Sequence, residues 1–159
     1  MIQTIRAIDF SRFRPCLLLA VILLASYPPL SAQEAESGSI TVTITGLRSA
    51  NGEILVSLYD KAEGFPRDRS AIIRTAALVP DDSMQVTAIF EALPYGDYAI
   101  AVLHDEDLSA GMTFGKLHLP KEGYCFSNNV KVRFKAPKFE KAKFALDREI
   151  VTQVLRVRY

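Results

Sequence analysis

The chain has 159 residues, 19 basic and 18 acidic, with a net charge of +1, which suits one domain and argues against a nucleic-acid or charged-membrane partner. Its two cysteines, Cys16 and Cys125, exclude a disulfide-stapled scaffold.

The first stretch reads as a targeting segment. Arg6, Arg12 and Arg14 precede an uncharged apolar run at 16–25, Pro28-Pro29 breaks any helix, and Ala32 is a small residue at a cleavage position. Residues 1–32 are therefore expected to be a cleaved secretory signal, with an uncleaved anchor as the alternative. The apolar run falls short of the ~20 residues a bilayer span needs, so no stable membrane span is expected after cleavage. Residues 33–38 read as a linker and 39–159 as the folded domain, placed in the periplasm or outside the cell. The 127 residues that remain carry a net charge within one of neutrality and are enough for a core without staples.

From there the hydrophobic pattern alternates with period two, the mark of half-buried strands. At 39–45, Ile40, Val42 and Ile44 share one face and three threonines the other. Residues 46–52 form a turn region in which Asn51-Gly52 signals a tight hairpin. A second strand at 54–59 puts Ile54, Val56 and Leu58 on one face. A charged loop at 60–70 carries Phe65 as a plug against the sandwich edge. Further strands are expected at 71–78, 84–90 and 98–104, the last apolar on both faces and so central. A long loop follows at 105–123, then strands at 130–134, 141–146 and 150–159, the last with Val151, Leu155, Val157 and Tyr159 on one side. No segment has a helical period. The expectation is an all-β, Greek-key β-sandwich of seven or eight strands, with Phe90, Tyr98, Ile100 and Val102 in its core.

The chemistry-bearing residues gather at the long loop. His104-Asp105-Glu106-Asp107 places three acids directly after a strand end. Asp105, Asp107 and Ser109 stand at positions one, three and five of a calcium loop. Ala110 occupies the sixth position where glycine is wanted, Thr113 the ninth, and Lys116 the twelfth, where a bidentate acid is wanted. On that ligand count the run reads as a solvated acidic turn, with no metal and no cofactor; only backbone carbonyls or Glu122 from the far end of the loop would add ligands. Neither His104 nor His118 lies in a nucleophile-elbow sequence, so no catalytic residue is assigned. Cys125, between Tyr124 and Phe126, reads as a buried thiol. The aromatic stretch at 121–129 reads either as a binding surface or as a lid pinning the loop to the core.

Three runs carry a resemblance: Phe90-Glu91-Ala92-Leu93-Pro94-Tyr95-Gly96-Asp97-Tyr98-Ala99, then His104-Asp105-Glu106-Asp107, then Pro120-Lys121-Glu122-Gly123-Tyr124-Cys125-Phe126-Ser127-Asn128. With them, residues 40–159 resemble the exported bacterial proteins of domain of unknown function family 2141. The Leu93-Pro94-Tyr95-Gly96-Asp97-Tyr98 turn is similar to that of prealbumin-like and carboxypeptidase-regulatory-like sandwiches. The resemblance implies the sandwich fold and transfers no activity. In the family the acidic run continues as a calcium-loop-like sequence. This chain departs from it: Asp107 stands for an Asn, Ser109 for a second Asn, Ala110 for a Gly and Thr113 for a later Asp, while the spacing from Asp105 to Pro120 is kept.

The expected function is that of an exported, non-enzymatic sandwich whose 105–123 loop binds a protein or small-molecule partner, with His104, Asp105, Glu106, Asp107, Glu122 and Phe126 as binding residues. The alternatives are a hydrolase centred on His104 and its neighbouring acids, and a cation-stabilised structural module.

Overall fold

The computed structural model describes residues 36–132 and 135–159. The expected secretory signal, its cleavage point and the first half of the linker, 33–35, lie outside them. Among the described residues no helix is long and apolar enough to cross a membrane.

Among the described residues eight strands run in order: β1 (Ser37–Thr45), β2 (Glu53–Tyr59), β3 (Arg74–Leu78), β4 (Val86–Pro94), β5 (Gly96–Asp105), β6 (Gly123–Phe126), β7 (Phe144–Leu146) and β8 (Ile150–Arg156). They form two sheets. One has the order β4-β1-β8, with β1 antiparallel to β4 and parallel to β8. The other has the order β3-β2-β5-β6, antiparallel throughout, with β7 pairing the first residues of β5. The all-β sandwich read from the sequence is thus the fold observed.

The main core lies between the sheets. Ile40, Val42 and Ile44 of β1 meet Ile54, Val56 and Leu58 of β2, and Phe90, Ile100, Val102 and Leu155 fill the rest. These are the alternate positions of each strand, as the period-two pattern requires. Tyr98 joins them, and its hydroxyl donates to Pro94 O at 2.7 Å, which pins the β4–β5 turn.

β5 is central because both of its faces are apolar. Its outer face carries the small residues Ala99 and Ala101, and a second cluster packs there: Tyr59, Phe126 and Phe139, with Phe65 half-buried among them. Phe65 meets Tyr59, Phe126 and Phe139 edge-on at 5.1, 6.0 and 5.8 Å between ring centres, so it is the plug its sequence context indicated.

Four sequence expectations are corrected. The Asn51-Gly52 hairpin does not form, because β1 and β2 belong to different sheets and residues 46–52 cross between them. The expected strand at 130–134 is absent over 130–132, its last two residues lying outside the description. The sixth strand is instead Gly123–Phe126, which pairs β5 from Ala101↔Phe126 to His104↔Gly123. The start of the 141–146 segment belongs to a one-turn helix, α1 (Phe139–Ala142), and only Phe144–Leu146 is strand. β1 also begins at Ser37, inside the expected linker, because Ser37 pairs with Pro94.

Candidate functional site

Strand alternation turns His104 and Asp105 to opposite faces of β5. His104 continues the inner row of Ile100 and Val102, Asp105 the outer row of Ala99 and Ala101, and both side chains are fully buried. The glycine at 52 permits this. Its φ is +73°, and a Cβ there would lie 2.0 Å from Asp105 O, so no other residue lets the β2 entry approach the end of β5 so closely. The turn residue that suggested a hairpin serves this approach instead.

On the inner side, His104 Nε2 lies 2.8 Å from Asn51 O and Nδ1 lies 2.5 Å from the Tyr159 hydroxyl. A carbonyl only accepts, so Nε2 carries the proton and donates. Nδ1 then accepts from Tyr159 Oη–H, which in turn accepts from Arg48 N–H at 3.1 Å. Both imidazole nitrogens are thereby engaged. Tyr159 is placed by the chain after β8, where Tyr124 and Arg158 exchange backbone hydrogen bonds of 2.9 and 3.0 Å. Gly123 leaves room for it, since a Cβ at that position would stand 2.4 Å from the Tyr159 ring.

Glu106 turns towards Arg48. The Arg48 guanidinium grips both its carboxylate oxygens, donates to Lys121 O and lies 4.2 Å over the Tyr159 ring, while Ser49 Oγ donates to Glu106 Oε1 at 2.7 Å. The Arg48 hydrogen bond holds the Glu106 carboxyl below the usual carboxylate range.

On the outer side the loop closes on itself through its acids. Asp105 Oδ1 accepts from Ser109 N at 3.0 Å and Oδ2 from Ala110 N at 2.6 Å. Asp107 accepts from Ser109 N at 3.1 Å and from the Thr113 hydroxyl at 2.8 Å. The Ser109 side chain, then Thr113, holds its carboxyl below the usual range. Glu122 Oε2 accepts from Thr113 N at 2.7 Å. One oxygen from each of Asp105, Asp107 and Glu122 lies within 4.8 Å of the others. Burial, followed by the charges of Asp107 and Asp105, holds the Glu122 carboxyl above the usual range.

The expected solvated turn is therefore overturned in part: Asp107 is exposed, but Asp105 is 0% and Glu122 3% accessible. Linear spacing missed this because Glu122 arrives from the far end of the loop on the β6 approach. Phe126, also expected as a binding residue, is buried in the second cluster and packs against Phe65 and Tyr124. The lid reading of 121–129 holds for it, through β6 pairing. Arg48, Asn51 and Tyr159 were not singled out for roles at this site, and Thr113 only as a ninth loop position without an acid. Only the C-terminal aromatic at the end of an alternating strand offered a signal.

Between these anchors the loop bares apolar side chains. Leu108 is 65%, Phe114 56%, Leu117 91% and Leu119 62% exposed. A bridge between Phe114 and Pro120 closes the tip, and Lys121 N donates to Thr113 O at 2.9 Å beneath it. Leu108 and Leu117 have φ of 56° and 62°, the left-handed region that costs a non-glycine residue on the order of 1 kcal/mol or more.

Comparison with known protein families matches residues 42–153 to DUF2141, described as "Uncharacterized protein conserved in bacteria". No curated protein matches the chain. The match covers most of the sequence, from within β1 to within β8, and takes in the whole 105–123 loop; the chain belongs to this family.

Proposed function

For this DUF2141 protein we propose an exported, non-catalytic β-sandwich that captures a protein partner through the tip of its 105–123 loop. One observation carries the reading: Leu117 is held in a strained left-handed conformation with almost its whole side chain in water. Folding gains nothing from that arrangement, and strain kept at an exposed apolar tip is accounted for by a contact made elsewhere. Phe114 and Leu119 flank it on the same tip. A side chain this exposed lines no cavity, which favours a macromolecular surface over an enclosed small ligand.

The non-catalytic reading is supported by His104, whose two ring nitrogens are both engaged inside the fold, and by Cys125, whose thiol burial pushes up to about 12. Neither is a poised base or nucleophile. Export rests on the order of Arg12, Arg14, the apolar run and Ala32.

The test is photo-crosslinking from position 117 in cells, alongside a Phe114→Ser/Leu117→Ser/Leu119→Ser variant in co-purification. The wild type is expected to crosslink to a protein and the variant to lose it while melting unchanged, because all three side chains are exposed. A variant that retains the partner, or a wild type that crosslinks only to lipid, overturns the reading. N-terminal sequencing of the native protein should begin near Gln33; an intact Met1 refutes export by cleavage.

A further inference from the structure

The acids at the root of the loop form a site distinct from its tip. We propose that Asp105, Asp107 and Glu122 together bind one hard divalent cation, calcium, a role independent of the partner reading. Two observations carry this. The first is the convergence of three carboxylates, with an oxygen from each within 4.8 Å of the others. The second is Glu122 Oε1, a buried oxygen with no hydrogen-bond partner on a side chain that is itself only 3% accessible.

A buried carboxylate oxygen that has lost its water and found no donor is costly, and such groups are paired or coordinate metals. Its twin, Oε2, is satisfied by Thr113 N–H at 2.7 Å, so the carboxylate is held in place within the cluster while Oε1 stays unpartnered. Among the described residues no Lys or Arg nitrogen forms an ion pair with Asp105, Asp107 or Glu122. Arg48 is engaged by Glu106 and Lys121 O, and Arg69 reaches Ala110 O.

The donor set selects the ion. Among the described residues it holds oxygen alone, without imidazole or thiolate, which suits hard cations and not zinc or copper. The hydroxyls of Ser109 and Thr113, 3.3 Å apart, adjoin Asp107, Thr113 Oγ1 donating to its Oδ2, and they offer further neutral oxygens. An irregular, loop-borne set of this kind tolerates calcium, whose shell takes 6–8 oxygens, better than magnesium, which demands a near-ideal octahedron. The calcium loop that linear spacing denied is thus completed across the fold, Glu122 supplying the acid that position twelve lacks.

The experiment is calorimetric titration of the purified, chelator-stripped full chain with calcium chloride and, separately, magnesium chloride, with melting curves in parallel. Calcium should bind one ion per chain and raise the melting temperature by several degrees at millimolar concentration, because an ion that binds only the folded state stabilises it. Magnesium should bind more weakly. Asp107→Asn, at an exposed position that leaves folding intact, should weaken binding by about tenfold or more. Glu122→Gln should abolish the calcium response. Its calcium-free melting temperature should equal or exceed that of the wild type, since an unpaired acid has been removed from beside two others. A wild-type titration flat in both ions overturns the site, and so does a calcium response unchanged in Asp107→Asn. Magnesium binding tighter than calcium overturns the choice of ion.

Discussion

Tyr159→Phe isolates one hydrogen bond at the base of the loop. The substitution keeps the ring, and with it the edge-on contact with His104 at 5.9 Å and the Arg48 cation over its face. It removes only the hydroxyl, whose proton satisfies His104 Nδ1. That nitrogen belongs to a side chain with no solvent access, so water cannot replace the donor, and the loss is that of a buried unsatisfied acceptor, about 1–3 kcal/mol. The other partner of the hydroxyl, Arg48 N, is exposed and regains water, so it adds little. In a domain of this size the loss corresponds to a fall of about 3–5 °C in Tm per kcal/mol. Urea unfolding of wild type and variant should show a lower midpoint at unchanged slope, because the surface exposed on unfolding is the same. Nitrogen chemical shifts of His104 should report the Nε2–H form in the wild type. A loss below about 0.5 kcal/mol, the scale of an ordinary surface substitution, or an Nδ1–H ring, would refute the assigned network.

Two further outcomes are expected. Phe90, buried between the sheets, should cost ~3–5 kcal/mol when changed to Ala, read from the same urea curves; a variant as stable as the wild type would mean that the inter-sheet core does not depend on it. Cys125, with its pKa raised to about 12 by burial, should have only on the order of one part in ten thousand as thiolate at pH 8, so a disulfide reagent should label it promptly in denaturant and barely in the native protein. Prompt native labelling would contradict its burial.

Much of this architecture was legible because strand alternation is a local property. Ile40, Val42 and Ile44 declare a buried face within seven residues of sequence, Phe65 stands out as an apolar residue in a charged loop, and β5 announces its central place by being apolar on both faces. Pairing is not local. Asn51-Gly52 carries a hairpin signal, yet its glycine serves the close approach of two chain segments at Asp105 O, because β1 finds its partners in β4 and β8. The same holds for β6: Tyr124-Cys125-Phe126 is too short to alternate visibly, and its identity as a strand comes from the β5 edge that it covers. At the candidate site the sequence by itself marked His104, Asp105, Glu106 and Asp107 as unusual, since three acids after a strand end need no alignment to be noticed. Alternation puts His104 and Asp105 on opposite sides of β5, but the sequence could not tell what each side meets: His104 joins Tyr159, Asp105 joins Glu122, and Glu106, just past the strand, turns to Arg48. Only the tertiary structure decided those pairings, because they join residues from 17 to 58 positions apart, brought together by sheet packing and loop closure.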